Sequence, residues 1–264
     1  KFYMGGGTCG SDFWRYQPPA WGAGPNTWEK LGMPSGLSGF GFNPPLTYDS
    51  FNKKIVLYVG QPGQNSSMVC EYDLKTGVWQ TFTNPANDPG AGCDFGQQEN
   101  NAVFDPVHKV IFYFFGGVTS CNYTNTTHNK TYTYNVATHS FTNLNPTVSP
   151  SGRTNTVVVW HDKLQAPVLF GGRGGGVLGD TWRYDWDGKR WIRLADAPGT
   201  KAFPVGGYDP VNDKIVVTSG GDAGGGAVHL YKATWARTIS GTTALSAFPQ
   251  PSGVRLQWID IFPN

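Results

Sequence analysis

The chain has 264 residues, with 20 Lys plus Arg against 18 Asp plus Glu and a formal net charge of +2. That balance supplies no basic field to hold a nucleic acid, and no run approaches the roughly 18 consecutive apolar residues of a membrane helix. Thirty-six Gly and 19 Pro beside 16 Phe, 12 Tyr and 10 Trp read as many short strands joined by tight turns, an all-β domain.

Taken in chain order, an apolar run ending in glycine recurs five times: Phe2-Tyr-Met-Gly, Ile55-Val-Leu-Tyr-Val-Gly, Ile111-Phe-Tyr-Phe-Phe-Gly, Pro167-Val-Leu-Phe-Gly and Ile215-Val-Val-Thr-Ser-Gly. The markers Gly6, Gly60, Gly116, Gly171 and Gly220 stand 54, 56, 55 and 49 residues apart, so a repeat of about 50 residues fills the chain. After each run comes a strand bearing Tyr16, Tyr72, Tyr134, Tyr184 or Tyr231. A further strand then carries Trp28, Trp79, Phe141, Trp191 or Trp235. Three of these Tyr-to-aromatic intervals are 7 residues, with turn residues such as Gly77 and Gly188 inside, which predicts a repeated hairpin. Before the glycine runs, Asp49, Asp105 and Asp209 each open a short turn from a preceding strand, where an Asp side chain bonds its own backbone. Each repeat is therefore expected to be four antiparallel strands. The first repeat starts at its second strand, and Lys1 is read as a mature N-terminus.

These motifs resemble the kelch family, most clearly in Val168-Leu-Phe-Gly-Gly through Asp180-Thr-Trp-Arg-Tyr to Trp191. The resemblance covers the chain in five degenerate copies and implies a five-bladed kelch-type β-propeller in one domain. Blade one takes 1–36 plus 254–264, blade two 37–90, blade three 91–149, blade four 150–199 and blade five 200–253. Tyr and Trp of neighbouring blades are expected to stack between sheets. The alternating strand Val254–Ile261 is expected to complete blade one beside Phe2-Tyr-Met, which removes an exposed sheet edge. The same segment completing a neighbouring copy would instead build a polymer.

The four cysteines form no CxxC pair, which points to one or two disulfides rather than zinc. Asn65, Asn122, Asn125 and Asn129 each begin an N-x-Ser/Thr acceptor motif, three of them within eight residues, so the chain is expected to be secreted and N-glycosylated. In a kelch blade the loop between strands two and three shares a face with the connection into that blade. The resemblance thus implies Cys93 with Cys121, and Cys9 with Cys70; the alternative is that Cys70 is a buried free thiol.

Kelch propellers include copper-radical oxidases, and five-bladed propellers host glycosidases with convergent carboxylates. Here His108 and His161 fall in first-to-second turns, His128 in the loop of acceptor motifs, His139 in a third-to-fourth turn and His229 in a third strand, scattered positions not placed for a shared site. Asp49, Asp105 and Asp209 recur at one position, as turn chemistry predicts and specialised catalysis does not. The glycine-rich stretches at 5–7, 171–176 and 220–226 precede no helix and are read as adaptable second-to-third loops, not phosphate cradles. No catalytic residue, metal ligand or cofactor is assigned. Trp21, Asp94, Arg173 and Asp222 are expected on the ligand face. The resulting reading is an extracellular structural or recognition module whose partner is a protein, a glycan or a second copy; a carbohydrate-active or oxidase-like enzyme with a pocket at the axis is the alternative.

Overall fold

The computed structural model describes residues 2–5, 12–17, 27–34, 37, 44–61, 66–89, 101–116, 128–194, 204–218, 233–238 and 246–249. The proposed closing strand 254–261 lies outside them. The described strands form antiparallel sheets. Sheet one contains β1 (Phe2–Gly5), β2 (Phe13–Gln17) and β3 (Thr27–Leu31), in that order. Sheet two is β4 (Leu46–Asp49), β5 (Lys54–Gln61), β6 (Ser66–Asp73) and β7 (Val78–Thr83). Sheet three is β8 (Asn101–Asp105), β9 (Val110–Phe115), β10 (Lys130–Asn135) and β11 (Ser140–Asn143). Sheet four is β12 (Val157–His161), β13 (Ala166–Gly174), β14 (Gly176–Asp185) and β15 (Arg190–Leu194). Sheet five is β16 (Val205–Asp209), β17 (Lys214–Thr218), β18 (Ala233–Thr238) and β19 (Ser246–Pro249).

The continuous apolar text of the second strands follows from burial on both faces. Side chains alternate across a strand, so Ile111, Tyr113 and Phe115 of β9 join Val56 and Tyr58 of sheet two. Phe112 and Phe114 point the other way, onto Leu169, Tyr184 and Trp191 of sheet four. In β13, Leu169 faces sheet three while Val168 and Phe170 meet Ile215 and Val217 of sheet five. The first strands β4, β8, β12 and β16 touch in that order, so successive sheets also meet along their leading edges.

The 7-residue spacing places its aromatics directly opposite each other within a sheet: Tyr72 with Trp79, Tyr134 with Phe141, and Tyr184 with Trp191 are cross-strand partners. Their ring centroids lie 5.1, 4.9 and 5.4 Å apart. The stacking expected between neighbouring blades is thus first a pair inside one sheet, and the pair then receives the preceding sheet. Trp191 donates its indole N–H to Thr131 Oγ1 of sheet three at 2.9 Å, and Trp79 donates to the Gly32 carbonyl at 2.7 Å.

Two expectations need correction. Trp235, expected in the fourth strand of the last repeat, lies in its third strand, β18, opposite Val217 and Ala247; β19 is the fourth. Tyr231 and Trp235 are 4 residues apart, so the 7-residue spacing of the other repeats is broken here. Cys70, expected to pair with Cys9, is a free thiol with no exposed surface. It sits mid-strand among Leu57, Val59 and Met68, and its Sγ accepts from Thr81 Oγ1 at 3.8 Å; burial pushes its pKa up to about 11. Cys9, Cys93 and Cys121 lie outside the described residues.

The first-to-second turns behave as the sequence predicts. Asp49 accepts from the amides of Phe51 and Asn52, Asp105 from Val107 and His108, and Asp209 from Val211 and Asn212. Sheet four has His161 at this position, and its Nδ1 accepts the Leu164 amide at 3.3 Å. That bond leaves the neutral ring's proton on Nε2, which faces Asp213 Oδ1 at 3.6 Å, beyond hydrogen-bond length. Tyr208 lies over the ring with centroids 4.5 Å apart and donates to Asp213 at 2.7 Å, while Lys163 pairs with Asp213 at 2.8 Å.

Burial lowers the His161 pKa below 6.5, against the attraction of Asp213 and Asp162. Below about pH 6.5 the unfolded chain therefore gains a proton that the folded chain resists, and stability falls as pH drops. His161→Asn keeps a neutral acceptor for the turn and removes that proton. Chemical denaturation at pH 7 and pH 5 is expected to show a smaller loss for the variant than for the wild type; equal losses would assign the pH dependence elsewhere.

Candidate functional site

In sheet four the stretch 171–176, expected as a long second-to-third loop, is strand on either side of Gly175, and at this end β13 is locked to the connection that enters the sheet. Thr154, in the connection entering the sheet, exchanges two backbone hydrogen bonds of 2.8 Å with Arg173 of β13. The approach is close enough to demand glycine. Gly172 adopts φ +105°, and a Cβ there would lie 2.7 Å from the Thr154 carbonyl oxygen; one at Gly116 would lie 1.5 Å from that of Arg153. Gly116 and Gly172 thus let the connection pass against the ends of the second strands.

Arg153 anchors this end. Its guanidinium is fully buried and donates to the Ser151 carbonyl at 2.9 Å, Ser151 Oγ at 2.9 Å and the Gly171 carbonyl at 3.2 Å. It also grips both oxygens of Asp180 in a bidentate pair, one bond measuring 2.8 Å. Trp182 Nε1 donates to the same carboxylate at 2.6 Å. Burial alone would raise the Asp180 pKa, but the hydrogen bonds from Arg153 and Trp182 and the adjacent positive charge together hold it below the ordinary carboxylate value. Above this network Arg173 is exposed.

On the same end, a polar cavity of about 230 Å3 lies where β10 begins and β11 ends. Asn129, Lys130 and Thr131 line it from one side and Asn143, Asn145, Pro146, Thr147 and Ser149 from the other. Asn145 takes φ +41° and donates its amide to Asn143 Oδ1 at 2.9 Å, a local turn that shapes one wall. Beyond it, the Thr147 amide donates to the Lys189 carbonyl and the Trp191 amide to the Val148 carbonyl, so this connection lies along the outer strand of sheet four.

Of the four residues expected on the ligand face, the structure places Arg173 at this end; Trp21, Asp94 and Asp222 lie outside the described residues. Of the acceptor asparagines, Asn129 is exposed and forms part of the cavity wall, while Asn65, Asn122 and Asn125 also lie outside. His108, His139 and His161 occupy separate sheet interfaces, while the backbone of His128 bonds Gly116 and Arg153. His108 stacks on Trp186 between sheets three and four, with centroids 3.9 Å apart. His139 stacks on Phe82 between sheets two and three at 3.7 Å. Its Nδ1 lies 3.1 Å from the fully buried carboxylate of Glu71, which also receives Lys54 Nζ at 2.6 Å and the Tyr134 hydroxyl at 2.9 Å. Among the described residues no three His, Cys, Asp or Glu side chains group as metal ligands.

The Arg153–Asp180 pair escaped sequence reasoning. Its partners are 27 residues apart on different segments, and only the Asp-Thr-Trp text at 180–182 marked the location. The chain matches no protein-family model, and no curated protein matches it in sequence.

Removing one partner of a buried, hydrogen-bonded ion pair strands the other. Asp180→Ala is expected to lower unfolding free energy by about 3–5 kcal/mol in urea titration; a change below about 1 kcal/mol, as for a surface pair, would contradict this role for Arg153.

Proposed function

We propose that the chain is a secreted, N-glycosylated five-bladed propeller of kelch type that serves as a structural or recognition module, and that its second-to-third loop face carries the binding surface. The ordered contact of first strands β4, β8, β12 and β16 supports a radial arrangement, in which leading strands line an axis. The missing first strand of sheet one is assigned to 254–261, which closes the ring. The exposed Asn129 of an N-Lys-Thr motif supports the secreted reading.

One observation carries the choice of face: Arg173 is displayed at the exposed end of β13, which backbone bonds to Thr154 and the buried Arg153–Asp180 pair hold from beneath. A cation preorganised in this way suits recognition because little is lost in ordering it on binding. Its planar donor fork matches carboxylates and vicinal hydroxyls of acidic or neutral glycans and of protein surfaces.

Screening the secreted protein on a glycan array, with wild type and Arg173→Ala side by side, tests this reading. The expected result is a glycan signal that the variant weakens at least about tenfold, a loss of 1.4 kcal/mol, with an unchanged melting temperature. Binding indifferent to Arg173 would contradict the assigned face. Stoichiometric copper with turnover of a sugar would contradict the non-enzymatic reading.

A further inference from the structure

We propose that Asn129 carries an N-linked glycan whose first N-acetylglucosamine is seated in the polar cavity beside it; natural occupancy rests on the secreted reading above, whereas the seat rests on the geometry. Asn129 is at once the acceptor residue of its motif and part of the cavity wall, so a sugar on its side-chain amide starts at the mouth. The cavity, about 230 Å3, is smaller than the roughly 300–1,000 Å3 of pockets for drug-sized ligands and is scaled to a single sugar ring. Its lining suits that occupant. The Asn143 and Asn145 amides both donate and accept, the Thr147 and Ser149 hydroxyls do likewise, and Pro146 adds an apolar ring for a sugar face.

The motif's third residue fixes the order of events. Thr131, whose hydroxyl the glycosyl-transferring enzyme must read together with Asn129, has no exposed surface, and its Oγ1 accepts the Trp191 indole N–H across the interface between sheets three and four. Transfer to Asn129 therefore precedes docking of these two sheets. The linker that docks along β15 then completes the cavity wall around a sugar already in place. The bond formed is the amide N-glycosidic link, with the lipid pyrophosphate carrier of the sugar donor as leaving group.

The test uses the full chain secreted from a eukaryotic host, with glycopeptide mapping and timed release by an endoglycosidase that cuts between the first two sugars. In the native protein, release at Asn129 is expected to be at least tenfold slower than in Thr147→Trp and Ser149→Phe, which fill the cavity and displace the sugar without touching the motif. All three proteins should release at one rate once denatured. Unmodified protein folded beforehand should not accept a glycan at Asn129 from purified transferase, whereas the denatured chain should. An empty Asn129 in the secreted protein, or native release equal to that of both filled variants, overturns the proposal. Protein from the natural source separates the two ideas. Glycan at other motifs with Asn129 empty overturns the seat and leaves the secreted reading standing; slow native release in the host-made protein with no glycan at all on the natural protein supports the seat and overturns the secreted reading.

Discussion

Burial of the second strand on both faces is the constraint from which the rest of the structure follows. A sheet with one wet face has an alternating strand, whereas β9 reads Val110-Ile-Phe-Tyr-Phe-Phe because odd positions pack on sheet two and even positions on sheet four. No single sheet of four short strands buries enough apolar surface to stand alone. Sheets two, three and four each pack on two neighbours, and the repeat is the sequence's record of that shared dependence.

The same constraint decides how the ends are built. Sheets packed on both faces still have an outer edge, and the chain covers it with its own connections. Ala86 pairs alongside Ser140 of β11, and Val148 accepts the Trp191 amide of β15. To reach the next leading strand, the connection must then cross the ends of packed strands. On the way into sheet four that crossing requires Gly116 and Gly172, and it brings Arg153 under the end of β13 that displays Arg173. Arg153, trapped in that crossing, is paired with Asp180; polar groups trapped between sheets are paired likewise, Lys54 and Tyr134 with Glu71 and Thr131 with Trp191. The loop face is preorganised as a by-product of the packing.

What was legible in the sequence was whatever a local pattern enforces. The interval from Tyr72 to Trp79 fixed a hairpin register, and Asp49, Asp105 and Asp209 fixed turns, because each effect acts within a few residues. Sheet five failed where that pattern broke, with Trp235 following Tyr231 by 4 residues instead of 7 and lying in the third strand. His161 was legible as a turn residue by its position, but its contact with Asp213 joins residues 52 apart in the sequence, and nothing local announces it. The candidate site was the least legible part. Arg173 was identified from exposure expected of a glycine-rich loop, while the buried arginine that holds it, and the cavity between residues 129 and 149, depend on which segments meet after folding.

Closure of the ring is the central claim, and amide hydrogen exchange in β1 tests it most directly. Alternate amides of Phe2–Gly5 bond to β2, and the others point toward the place assigned to 254–261. The account predicts that both sets are protected at least about a hundredfold over an unstructured chain and open together with the global unfolding transition. Protection of the β2-bonded set alone, with the other amides exchanging freely, would contradict it.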